Sequence, residues 1–158
     1  MLSTIVYDDI FTSFLGNITD YEIANMDETD ATELAMQLMK DAVAEPKVAR
    51  LFSSISFDDT TQTVTCKLAG VKDDEKDYSS FVTLVIGLAM VCQWIEPKVQ
   101  NTLDLNQLFT GQDQRFFAQS AHMAEKKEIK ADAESKLDRT LKDFNATNNS
   151  YINGGSDA

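Results

Sequence analysis

The chain has 158 residues, 43% of them hydrophobic and 25% charged, enough for one domain that buries roughly 70% of its unfolded surface without a disulfide staple. Its formal charge of −12 is uneven: up to Ser80 sixteen acids face six bases, and beyond it ten face eight. An acidic chain without clustered Lys and Arg excludes a grip on nucleic acid driven by counterion release.

The opening stretch, Met1 to Asp8, has no basic region, sustained apolar run or small-residue cleavage site. A cytoplasmic setting is therefore expected, with Cys66 and Cys92 as reduced, buried thiols. Tyr7, Ile10, Phe11, Phe14, Leu15 and Ile18 recur at helical spacing and predict an amphipathic helix that ends near Gly16 and Asn17. Thr19-Asp20-Tyr21-Glu22 has the form of a capping box that starts a short second helical turn. A third helix is predicted to begin between Asp27 and Asp30, to carry Ala31, Leu34, Ala35, Leu38 and Ala42 inward, and to stop at Pro46.

The period then changes to two. Ile55 and Phe57 alternate with serines, and Val64, Cys66 and Leu68 alternate with polar residues, so a β-hairpin is expected near 52–68 with its turn over Asp58–Gln62. A hydrated loop follows over 72–77. The segment from Phe81 to Ile95 is apolar nearly all round, and at this length it reads as a buried central helix and not as a membrane span. Leu84, Leu88 and Trp94 are expected inside it. After Pro97, Leu103, Leu105, Leu108, Phe109 and Gly111 read as a helix end and a compact corner.

A long charged helix is predicted from about Gln112 to Phe144, roughly 45 to 50 Å. Its stripe of Ile129, Ala133, Leu137, Leu141 and Phe144 is thin for a helix packed wholly on its own domain. Ile129, Leu137 and Leu141 are therefore expected to lean on a neighbouring subunit. The predicted architecture is mainly α: a helical bundle around a buried central helix over 1–144, with a β-hairpin and a long last helix, then an extended tail over 145–158. That tail offers Tyr151 and Ile152 among small polar residues, too little to fold alone but enough to order against a partner.

Chemistry-bearing constellations do not emerge. His122, the one histidine, has no second ligand at metal-binding spacing, and both cysteines sit in apolar patterns. The acid pairs Asp8-Asp9, Asp58-Asp59 and Asp73-Asp74 read as solvated charge, with no calcium-loop spacing around them. Gly154-Gly155 lacks the strand and helix of a phosphate loop. No base, nucleophile and oxyanion donor can be nominated together, so a protein that is not an enzyme and uses no metal or cofactor is expected.

Several blocks of the chain resemble head-tail connector (adaptor, or head-completion) proteins of long-tailed bacteriophages and prophages. They are YDDIFTSFLGNITDYE at 7–22, RLFSSISFDD at 50–59, IGLAMVCQWIEPKV at 86–99, QLFTGQDQRFFAQSAH at 107–122 and NNSYING at 148–154. The resemblance implies a structural protein of the virion neck, assembled in the host cytoplasm as a ring, expected to be a dodecamer, beneath the portal. It implies as partners the portal protein, further copies of the chain, and a stopper or tail-completion protein. DNA would pass through the ring without specific binding, past an acidic lumen, and no membrane would be involved. The carboxy-terminal segment of such proteins docks on the portal, which assigns Phe144, Asn148, Asn149, Tyr151, Ile152 and Asn153 to that contact. Asp58 and Asp59 at the hairpin turn are expected to meet a neighbour. A second class fits the same composition: an acidic helical regulator that imitates DNA charge to bind a partner protein.

Overall fold

Helices dominate the computed structural model, which describes the backbone of residues 2–18, 23–71, 75–108 and 113–148, and the side chains of these spans except at 24 and 101–123. In chain order come strand β1 (Ser3–Val6), helix α1 (Tyr7–Leu15), a 3-10 turn (Ile23–Asn25), α2 (Glu28–Ala44), a short α3 (Pro46–Ala49), β2 (Phe52–Asp58), β3 (Thr63–Leu68), α4 (Ser79–Leu108) and α5 (Asp113–Asn148). The mainly α fold with an appended hairpin and a long last helix is thus what forms. The expected capping box at 19–22 lies outside the described residues.

Helix α4 is the axis of the core, and α1, α2 and α5 all pack on it. Val82, Val85, Ile86, Leu88, Ala89, Met90 and Val91 are buried in near-continuous succession, which a helix achieves only when it is covered on every side. Gly87 lets α1 come close: a Cβ there would lie 2.5 Å from the Ser13 hydroxyl oxygen and 3.3 Å from the Phe14 amide nitrogen. Leu88 and Trp94 are buried as expected, and Trp94 meets Phe14 edge-on at 6.5 Å between ring centroids. Leu84 is the exception, 41% exposed, because it faces a cleft beside β1 and not the bundle.

The helix also outruns the span that its apolar run predicts. It passes through Pro97, which has no N–H to give to the preceding turn, and continues to Leu108, so the helix end expected after that proline is the end of α4 itself, and the corner expected at Phe109 and Gly111 lies outside the described residues. Ser79–Gln100 is long and apolar enough to cross a bilayer, with a mean hydropathy of 1.5, yet 56% of the tested window is buried inside the chain, the behaviour of a core helix.

The sheet has one strand more than the hairpin. Its order is β1-β3-β2, all neighbours antiparallel, with Ile5 opposite Val64 and Ile55 opposite Cys66. These pairs set two faces, since side chains alternate along each strand. Ile5, Val64, Cys66 and Leu68 are buried toward the helices, whereas Thr4, Val6, Thr65, Lys67, Ser54 and Ser56 occupy the opposite face. Gln62 closes the hairpin in a left-handed conformation (φ 51°) and its carbonyl accepts the Tyr7 amide at 2.8 Å, tying the turn to the start of α1.

Helix α5 folds back along α4 as an antiparallel hairpin. Phe144 meets Phe81 at one level and Lys130 pairs with Glu96 at 2.5 Å further along, so rising numbers on one helix match falling numbers on the other. Ala133, Leu137 and Leu141 are buried in this contact. The assignment of Leu137 and Leu141 to a neighbouring subunit is corrected accordingly: α4 exposes an apolar flank, and the stripe of α5 covers it within the same chain. Ile129 continues the stripe and is half-buried.

Candidate functional site

The last turns of α5 are anchored on the start of α4. At 36 residues the helix is about 54 Å long and reaches Asn148, four residues beyond the end expected at 144. Asn148 donates its side-chain amide to the Phe144 carbonyl at 3.0 Å, a side-chain bond back onto the final turn. Phe144 stacks on Phe81 at 4.2 Å with the rings 14° apart, and Tyr78 meets it edge-on at 5.8 Å. Phe144 is therefore engaged in its own domain as the anchor of the helix end, and it remains half-exposed. Asn149, Tyr151, Ile152 and Asn153 lie outside the described residues.

The hairpin turn carries the densest polar contacts. Asp58 accepts the amides of Thr60 at 2.9 Å and Thr61 at 3.2 Å, and the Thr61 and Thr60 bonds hold its carboxyl below the usual range. Asp59 takes the Lys40 ammonium and the Tyr7 hydroxyl, each at 2.7 Å, and both hydrogen bonds lower its pKa, with Lys40 the larger influence. Tyr7 is buried, and burial followed by the Asp59 bond pushes its phenol well above its ordinary value. The turn is thereby pinned to α1 through Tyr7 and to α2 through Lys40. Asp59 is committed to these internal bonds, whereas Asp58 serves the turn itself and stays exposed. Sequence reasoning placed both acids at the turn and missed the pin; a tyrosine at the buried start of a helix was the available signal, since a buried phenol needs a partner.

Burial pushes both thiols up to about 11, so Cys66 and Cys92 are protonated at neutral pH and poor nucleophiles. Among the described residues no three His, Cys, Asp or Glu side chains converge as metal ligands, and the His122 side chain is outside them.

Two concavities bear on binding. Between α1 and α2, Phe11, Leu15, Ile23 and Leu34 line an apolar groove whose rim holds Asp8 and Glu28. The second lies beside β1, where Thr4, Asp9 and Ser13 face Ser79, Thr83 and Leu84. Polar and apolar groups alternate there without a charged pair that could do acid-base chemistry. The chain matches no protein-family model, no curated protein and no solved structure.

Proposed function

We propose that the chain is a head-tail connector, a structural protein that forms a ring beneath a phage portal and joins it to a stopper or tail-completion protein in the virion neck. The observation that carries this reading is the anchored end of α5. Phe144 packs the end of α5 against Tyr78 and Phe81, just before the segment 149–158 that follows it in sequence. A short segment with a single charged side chain, Asp157, that follows an anchored helix end has less orientational entropy to lose on meeting a partner than a loose terminus. Blocks spread over most of the chain that resemble connector proteins support the same role. So does the net charge of −12, since a ring with an acidic lumen lets a DNA duplex slide by without sticking.

In this reading Tyr151 and Ile152 are the anchors on the portal, flanked by Asn149 and Asn153, and copies of the chain assemble around the channel. The test is light scattering and negative-stain imaging of the protein alone and with portal. Rings, or rings formed on portal, are expected. A monomer that ignores portal and captures basic DNA-binding proteins instead would overturn the connector in favour of a charge-mimicking regulator.

A further inference from the structure

Helices α1 and α2 both pack on α4 but hardly on each other, and the space between them is the groove of Phe11, Leu15, Ile23 and Leu34. Helix α1 carries more apolar surface than the core takes from it. Tyr7, Ile10 and Phe14 form one stripe and are buried, whereas Phe11, Leu15 and Ile18, at i, i+4 and i+7, form a second that stays partly exposed. One stripe is enough to seat a surface helix. Leu15, 47% exposed, lines the groove from the second.

The size of the groove limits what fits. It holds about 180 Å³, below the roughly 300 Å³ at which small-molecule sites begin, so it suits the anchor side chains of a polymer. Its walls run from Asp8 to Leu15, about 10 Å along α1, and from Glu28 to Leu38, about 15 Å along α2. That is roughly two to three helical turns, the span of a helix that inserts apolar residues at i, i+3 or i+4, and i+7.

Charge selects the kind of helix. Every residue of the groove comes from the first 39, which hold eight acids and no lysine or arginine, and so carry two thirds of the net charge of −12. Lys40, the first basic side chain, is bonded to Asp59 at 2.7 Å. Acids at the starts of α1 and α2 suit the helix dipole, but that does not explain why the bases are missing. On α2 the acids Glu28, Asp30 and Glu33 stand four residues before Thr32, Leu34 and Gln37, so none has the i, i+4 cation that Lys130 and Glu134 give each other on α5. Among the described residues, no cationic side chain pairs with Asp8, Asp9, Glu28, Asp30 or Glu33.

We propose that the groove between α1 and α2 seats a cationic amphipathic helix of another protein. Its apolar side chains enter between Phe11, Leu15 and Leu34, and its lysines or arginines meet Asp8 and Glu28 at the rim. A second copy would bring the same acids against these, and the chain's own segment 149–158 has no lysine or arginine to offer. Nucleic acid would be repelled. The groove shares no residue with the carboxy-terminal segment on which the connector reading rests.

The probes are two synthetic peptides of about 15 residues, with leucine at i, i+3, i+7 or at i, i+4, i+7 and lysine around them. Titrated into nitrogen-15-labelled protein at about 0.15 M salt, at least one should shift the amides of Phe11, Leu15, Ile23 and Leu34 and bind with a Kd of about 50 μM or tighter. Its counterpart with glutamate in place of lysine should not bind. Leu15→Ser, at an exposed site, should weaken binding by about tenfold or more. Asp8→Asn with Glu28→Gln should weaken it by about fivefold and flatten its dependence on salt, with circular dichroism showing every variant folded. Three results overturn the proposal. One is no binding by either lysine peptide. Another is binding that Leu15→Ser leaves unchanged, which would be general attraction to an acidic surface. The third is self-association of the natural protein that Leu15→Ser abolishes, which would make a second copy the occupant.

Discussion

Phe81 and Phe144 stack face to face at 4.2 Å, joining the first turn of α4 to the last turns of α5 across sixty-odd residues of chain. The contact closes the open end of the α4–α5 hairpin, where two helices would otherwise fray. Phe144→Ala should therefore lower stability by about 2 kcal/mol, less than for a fully buried ring because Phe144 is half-exposed. Chemical unfolding with far-ultraviolet circular dichroism is the check, and an unchanged midpoint would mean that the stack forms without contributing.

Leu137 separates a seam within the chain from a seam between chains. It is 0% exposed in the monomer, so Leu137→Ala should cost about 2 to 5 kcal/mol at any protein concentration. Leu88→Ala, also in the core, belongs to the same range. Ile129→Ala, at a half-buried site, should cost less. If the Leu137 penalty grew with concentration, the residue would be stabilising an oligomer instead.

Gly87→Ala tests the close approach of α1. The added methyl would press on the Ser13 Cβ at 2.9 Å as well as on its hydroxyl, so rotating the side chain cannot relieve it. A net loss of about 1 to 3 kcal/mol is expected, even after the better helix propensity of alanine. Urea denaturation that finds the variant equal to or firmer than the natural protein would place α1 further from α4 than described here.

The pin at the hairpin turn makes stability depend on pH. The folded state lowers the pKa of Asp59 through Lys40 and Tyr7, so the stabilisation is present above the carboxyl's unfolded pKa and is lost as pH falls through its folded value. Stability should thus decline below about pH 4, and Asp59→Asn should decline less steeply over that window. Tyr7→Phe should cost about 1 kcal/mol at neutral pH by removing the hydroxyl's bond. Melting temperatures measured between pH 2.5 and 7 decide it; parallel curves for the natural protein and Asp59→Asn would discard the pin as a titrating element.

Removal of residues 149–158 should leave the fold intact and abolish the joining to portal. The cut falls after Asn148 because the helix, with its Asn148 to Phe144 bond, continues that far. Tyr151→Ala with Ile152→Ala should weaken portal binding by about 2 kcal/mol or more if these are the anchors. Portal pull-down by the truncated protein at full strength would move the attachment surface to α5 around Arg115, Phe116 and Phe117.

Much of the fold was legible because burial imposes period. The run of Val and Ile through α4, the alternation in β2 and β3, and the Asp27 cap of α2 each wrote their element into local sequence. Strand β1 was not legible: it has four residues, and of the two on its core-facing side, Ser3 and Ile5, Ile5 alone is apolar and buried. The partner of α5 was not legible either, since a thin apolar stripe reads the same whether its cover lies in the same chain or another. Pro97 misled for a different reason. It breaks a helix only when nothing else holds the two halves in line, and Val99 is buried just beyond it while Lys130 ties down Glu96 just before. The Asp59 pin depends on residues 19 and 52 positions away, beyond any local pattern.

Because α5 runs antiparallel to α4, the link between the two helices and the departure of the tail fall at opposite ends of one hairpin. The hairpin is then a spacer of set length, and its two termini can touch different neighbours without touching each other. Adding two turns to both helices in step would separate those neighbours by a further 10 Å or so while preserving every rung of the stripe near the tail.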